Sequence, residues 1–194
     1  MKTTLKKSLE QRIAEVIREK IAIVPYNPDW LRLFDQEAKY LRNMLPKTLV
    51  IRIEHFGSTA IPGLVSKPII DILVEVISLE KTKKQIVPLL KSEGYDYFWR
   101  PEFDKPPMYA WFIKRNSNGE RTHHIHMVEA DSKLWDRLYF RDYLREFYEE
   151  AKRYGKLKLF LSEQYPGDRV AYTKGKTDFI VSITEKAKLY YNAT

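Results

Sequence analysis

The apolar run Ile69-Ile70-Asp71-Ile72-Leu73-Val74 is too hydrophobic to lie outside a sheet, yet a carboxylate stands inside it. An acid in that position is costly unless something pairs with it, so the strand carries either a satisfied structural acid or a ligand group. The preceding segment points to the second. Leu49 to Phe56 reads as another strand, ending where Gly57 permits a tight turn whose backbone amides, with the Ser58 hydroxyl, can meet phosphate oxygens. A phosphate turn beside a metal-binding acid is how a sheet enzyme handles phosphate esters. A P-loop is excluded, because Gly57 and Gly63 are one residue too far apart and Leu64 stands where its lysine belongs.

The chain of 194 residues has material for one substantial core and is short for two domains. No apolar stretch approaches the roughly 20 residues of a membrane span, and Met1 to Lys20 lacks the apolar centre of a signal peptide, so a cytoplasmic protein without a membrane partner is expected. With no cysteine, thiolate chemistry is excluded and any metal must be held by oxygen and imidazole. The net charge of +8 resides in the termini: residues 1–20 carry six Lys/Arg against three Asp/Glu, residues 151–194 nine against four, and the middle nineteen of each. Such termini suit a nucleotide or a nucleic acid, but equally a lysine-rich soluble surface. Trp30, Trp99, Trp111 and Trp135 all sit in apolar contexts where core packing is the default.

Leu5, Leu9, Ile13, Val16 and Ile17 recur at helical spacing, which predicts an amphipathic helix over about Thr4 to Lys20 that packs on the domain or on a second subunit. Residues 21–194 form the domain itself. A helix capped by Asp29 runs to about Met44, with Leu31, Phe34, Ala38, Leu41 and Leu45 on its inner face. Strands are expected at Leu49 to Phe56 and Ile69 to Ile77, then a helix from Glu80 to Glu93 closed by Gly94. Three more strands follow near Tyr95 to Arg100, Met108 to Lys114 and His123 to Glu129, the last two joined by a turn at Asn116-Ser117-Asn118-Gly119. From about residue 132 the pattern is helical, with helices over Tyr148 to Glu163 and Asp168 to Tyr191. The fold class is therefore α/β in the broad sense (α+β): a mixed sheet with packed helices and a helical C-terminal extension.

The Gly-Ser turn followed by an acid on the next strand resembles the nucleotidyltransferase superfamily, and the fuller pattern resembles its GrpB branch. Blocks in one order carry the resemblance from Ile21 to about Tyr191: Val24-Pro25-Tyr26-Asn27-Pro28-Asp29-Trp30, His55 to Asp71, His124-Ile125-His126-Met127-Val128-Glu129, Phe140-Arg141-Asp142-Tyr143-Leu144-Arg145, and Tyr172-Thr173 with Lys176 and Phe179-Ile180. The resemblance implies a nucleotidyltransferase-like fold and, in the superfamily, two acids two residues apart on one strand that hold metal. Asp71 fits the first position, but the second is Leu73, so the usual two-metal cage lacks a ligand. Glu75 shares the strand face but lies about 13 Å along it, too far to share an ion with Asp71.

His124 and His126 alternate on one predicted strand, so both imidazoles point the same way, and the resemblance places that strand where the superfamily offers its third acid. His123 and Glu129 point to the other face. The catalytic and metal set is thus Asp71, His124 and His126. Imidazole favours Mn or Zn over Mg, and ordinary imidazoles would lose the metal as pH falls through about 6.5. Alternatively one of the pair is a general base needing no metal. The nucleotide- and phosphate-binding set is Gly57, Ser58 and Thr59 at the turn, Lys67 beside the acid strand, and Arg141, Tyr172, Lys174 and Lys176 within the matching blocks. His55 is placed to orient the turn, and Arg145 to pair with Glu149.

These residues lead to a reading as a nucleotidyltransferase-like protein that uses a nucleoside triphosphate and a divalent metal to modify a small-molecule acceptor. Two alternatives stay open. One is a nucleotide- or phosphometabolite-binding module without catalysis; the other is a nucleic-acid or protein partner acting through the basic termini. A homo-oligomer fits the apolar face of the first helix.

Overall fold

Val50–Phe56 (β1), Ile70–Val76 (β2), Asp96–Glu102 (β3), Lys105–Arg115 (β4) and Arg121–Val128 (β5) form one mixed sheet in a computed structural model that describes residues 21–102 and 105–192. The spatial order is β1-β2-β5-β4-β3. Only β2 and β5 run parallel; every other pair is antiparallel. The helix expected over Thr4 to Lys20 lies outside the described residues. Among the described residues, no helix is long and apolar enough to cross a membrane.

Alternation along the strands divides the core between the two sheet faces. On one face Ile70, Ile72, Val74, Ala110, Phe112, Ile125 and Met127 bury against two helices. The first of these, Asp29–Met44 (α1), packs through Trp30, Ala38 and Leu41. Leu31, expected inside, is 39% exposed, while Trp30 beside it is 3% exposed. The helix is turned so that the larger ring fills the core. Its cap also differs from expectation: Pro28 occupies the N-cap, and the Asn27 side chain accepts from the Asp29 amide at 3.0 Å.

The second is a continuous helical run, α2, made of Leu79–Lys81, a π turn over Thr82–Ile86, and Val87–Ser92. Pro88 has no amide hydrogen to donate one turn back, which accounts for the widened turn before it. Ser78 caps its start, and the Glu129 carboxylate accepts from the Leu79 amide at 2.7 Å. Gly94 closes it at φ +84°, and Gly119 completes the β4–β5 turn at φ +80°, both as expected.

The other face carries Leu73, Phe98, Trp111, Ile113 and Val128, and toward it pack the C-terminal helices Asp136–Glu146 (α3), Tyr148–Gln164 (α4), Arg169–Gly175 (α5) and Thr177–Asn192 (α6). A single helix over Asp168 to Tyr191 is not what forms. The chain breaks at Lys176, beside Gly175, where α5 lies so close to α4 that a methyl would meet Leu161 at 2.6 Å, and the turn then sends Ile183 and Ala187 against Phe140 and Tyr143. Ile61 and Leu64 from the β1–β2 connection join that same cluster, so the helical extension is built onto the loop that follows the Gly-Ser turn.

Candidate metal and phosphate site

The parallel pairing of β2 with β5 sets Asp71 opposite His124 and Leu73 opposite His126. Nδ1 of His124 lies 3.1 Å from Oδ1 of Asp71, and one ligand atom from each of Asp71, His124 and His126 falls within 4.8 Å of the others. Two ligands of one ion at bond lengths of about 2.1 Å stand about 3 Å apart when their angle is near a right angle, so the Asp71–His124 spacing suits a shared ion. Nδ1 of His126 is 3.2 Å from the Tyr109 hydroxyl. When that nitrogen donates to Tyr109, Nε2 keeps its lone pair, which is how metal-binding histidines are commonly oriented. His126 stands across from Leu73 and thus beside the place of the missing second acid.

The imidazoles are neutral over a wide pH range. Burial pushes His124 down to about 4, against an opposing pull from Asp71, and His126 down to about 3. Loss of metal near pH 6.5, expected from ordinary imidazoles, therefore moves to lower pH, because the buried rings resist charging. Burial acts to raise the Asp71 carboxyl, but the hydrogen bond from His124 leads the opposing interactions, with Lys67 among them, and the carboxyl is held below its usual value.

Gly57 brings the turn against this acid. It sits at φ +75°, and a methyl there would lie 2.5 Å from Oδ2 of Asp71. Only glycine meets both demands. Ser58 follows in a short 3-10 turn, Ser58–Ala60, and its side chain bonds the buried Tyr154 hydroxyl. Cations gather on the same side. Lys67 and Lys176 flank the Tyr172 ring at 5.3 and 4.6 Å from its centroid, and Asp71 is within electrostatic reach of both. Burial lowers Lys176 to about 8, with Arg137 and Arg169 reinforcing and Asp71 opposing; burial also pushes Lys67 well below its usual value, with Arg169, Lys176 and Arg121 reinforcing and Asp71 opposing. Neither lysine forms a salt bridge among the described residues. Lys158, 2% exposed and so more deeply buried than either, donates to the Val65 carbonyl.

Several residues proposed for phosphate have other placements. The Thr59 hydroxyl is buried between His55 Nε2, at 3.0 Å, and the Ile69 carbonyl, so it braces the turn against β2. His55 stacks on Phe34 with ring centroids 4.7 Å apart. Arg141 binds Glu54, Asp142 and the His55 carbonyl, and Arg145 binds the Ala60 carbonyl rather than Glu149. The two arginines, one helical turn apart on α3, thereby hold the chain on either side of the Gly-Ser turn. Tyr172, 1% exposed, offers no face to a nucleobase and instead holds the two lysines. Lys174 is exposed on α5. Glu75 pairs with Arg52 at 2.8 Å. Tyr109, Tyr154 and Lys158 were invisible in the sequence as site residues. The spacing of Tyr154 and Lys158, four apart on one helix face, is the one sequence signal that could have joined two of them.

A mixed sheet that presents an acid-bearing strand beside a Gly-Ser turn defines the nucleotidyltransferase-like fold. A poly(U) polymerase, Cid1, crystallised with MgATP, shares that fold at a TM-score of 0.50 and 17% identity, over 84% of this chain and 52% of its own. That likeness concerns the fold alone. The chain belongs to the GrpB family, whose pattern, described as GrpB protein, matches residues 20–186. The glutamate-rich protein GrpB of Alkalihalophilus pseudofirmus is 38% identical over 169 residues, covering 87% of this chain and 96% of its own. The crystal structure of GrpB from Enterococcus faecalis superposes at a TM-score of 0.77 with 34% identity, over 88% of this chain and 99% of that one.

Proposed function

We propose that this protein binds a nucleoside triphosphate with a divalent ion and transfers a nucleotidyl group to a small-molecule acceptor. The observation that carries it is the juxtaposition of two half-buried lysines without salt bridges among the described residues, Lys67 and Lys176, with the Asp71, His124 and His126 triad and the turn that Gly57 presses against it. Half-buried cations without a salt-bridge partner call for an anion, and a carboxylate with two neutral imidazoles calls for a metal. A metal triphosphate supplies both.

Asp71, His124 and His126 would hold the ion, with Mn or Zn favoured over Mg. When bound, the ion neutralises phosphate charge and polarises the phosphoryl group. The Gly57–Ser58 turn orients phosphate oxygens, Tyr154 fixes the Ser58 hydroxyl, and Lys67 and Lys176 offset the charge that accumulates on the leaving group. In the transfer, an acceptor oxygen or nitrogen bonds to the α-phosphorus as the bond from that phosphorus to the bridging oxygen breaks. Pyrophosphate departs with the electron pair, and the acceptor proton passes to solvent.

Leu73 favours a second reading, a nucleotide-binding module without turnover, because it removes the carboxylate that would hold another ion. Titration calorimetry of ATP, GTP, CTP and UTP, each with Mn, Zn or Mg, followed by pyrophosphate release against a panel of hydroxyl and amine acceptors, tests both. Metal-dependent binding with release supports the transferase; binding without release from any acceptor supports the module. Absence of metal-dependent nucleotide binding overturns both.

A further inference from the structure

One buried group beside the triad is left unused by the nucleotide. Trp111 is 4% exposed, and its indole Nε1–H has no hydrogen-bond partner. Buried donors in folded proteins are nearly always satisfied, so an unpaired one that faces a site is a mark of a missing ligand atom. Its surroundings say which kind. Trp111 lies on β4 directly across from His126, and its ring stands edge-on to His124 with centroids 5.2 Å apart. The Arg100 guanidinium on β3 covers the same ring at 4.6 Å, and its charge reaches His126. Arg100 has no salt bridge among the described residues.

The sheet order places this pair opposite the phosphate turn. Gly57 and Ser58 follow β1, whereas Trp111 and Arg100 lie on β4 and β3, with the triad on β2 and β5 between them. We infer that the β3–β4 side of the triad is an acceptor subsite, which takes a small molecule through an oxyanion held by the Trp111 indole N–H and the Arg100 guanidinium. A neutral N–H and a cation together select an oxygen acceptor carrying negative charge, either a carboxylate or a phosphate. The near-complete burial of Trp111 selects a small group over a polymer backbone. This inference rests on the nucleotidyl-transfer reading for the word acceptor, but the oxyanion site itself does not need that reading.

The test uses the full chain with 15N in its four tryptophan indoles. Zn and a non-hydrolysable ATP analogue are present at saturation, so that the lysine side is filled. Loss of one signal in Trp111→Phe assigns the Trp111 indole; should that variant not fold, Phe at Trp30, Trp99 and Trp135 assigns it by elimination. Acetate and inorganic phosphate are then titrated separately. The Trp111 signal is expected to move downfield to saturation with at least one of them, and Arg100→Gln is expected to weaken that binding tenfold or more. The tighter probe identifies the oxyanion as carboxylate or phosphate. A Trp111 signal unmoved by either probe, with the nucleotide analogue bound, overturns the subsite and leaves the nucleotide reading standing. If the analogue itself fails to bind, the nucleotide reading falls, and the same two titrations on the Zn-loaded chain decide the oxyanion site alone.

Discussion

Gly57 is the residue on which the site depends most narrowly, since it satisfies a backbone demand and a packing demand at once. Gly57→Ala forces a side chain into the left-handed region and against Asp71, at a cost of about 1–3 kcal/mol for the backbone alone. We expect a drop of several degrees in melting temperature together with loss of metal-nucleotide affinity of tenfold or more, read by thermal melting and calorimetry on the same sample. The lysines should behave in the opposite sense. Lys67→Met removes a half-buried ammonium that has no salt bridge among the described residues, so the ligand-free protein is expected to melt at an unchanged or higher temperature while nucleotide affinity falls. A variant that melts lower and binds nucleotide normally would make Lys67 a structural residue. Asp71 mixes the two behaviours. Its hydrogen bond from His124 means that Asp71→Ala leaves a buried ring nitrogen unpaired and costs about 1–3 kcal/mol even without ligand. Metal titration of that variant, rather than its stability, therefore measures what the carboxylate does for an ion.

At the level of elements, strands and their turns were the most legible part of the chain because their signals are local. Period-two burial, Gly94 and Gly119 mark them without reference to anything distant. Helix orientation was less legible: whether Leu31 or Trp30 faces inward depends on the sheet it meets, and the close approach of Gly175 to Leu161 is a contact between two helices that the pattern of neither one shows. The site followed the same division. Asp71, His124 and the turn were readable because strand register alone brings them together. The roles of Arg141 and Arg145 were not, since both reach carbonyls more than 80 residues earlier in the chain. Their arrangement gives a prediction for α3 as a brace. Arg141→Met strips the His55 carbonyl, Glu54 and Asp142 of a partner, so it should lower stability and, through the slackened turn, nucleotide affinity as well. Arg141→Lys should restore neither fully, because an ammonium cannot bridge three acceptors in the plane of a guanidinium. If nucleotide affinity fell with stability untouched, Arg141 would be touching the ligand instead.

For the whole molecule, the buried histidines join stability to pH and to metal. His55 is held by burial at about 4, against 6.5 for an ordinary imidazole, as His124 is at about 4 and His126 at about 3. A histidine whose folded value is depressed stays neutral in the fold while the unfolded chain takes up its proton, so below about 6.5 protons favour unfolding. Stability is then complete above pH 6.5, falls steadily as pH drops toward 4, and has lost the histidine contribution once the folded values are passed. Urea unfolding from pH 7.5 to 4.5 should show that slope. His55→Gln should make it shallower without altering metal binding, because His55 stacks on Phe34 outside the triad. Metal adds the complementary arm. An ion that binds only the folded triad stabilises it by about 2.7 kcal/mol when its concentration is a hundredfold above its dissociation constant. Saturating Mn or Zn should therefore raise the melting temperature of the wild type at pH 7 by several degrees, and His126→Ala should abolish the rise. An equal rise from Mg, retained in His126→Ala, would show that the stabilising ion sits elsewhere and that the two imidazoles face one another only as part of the sheet.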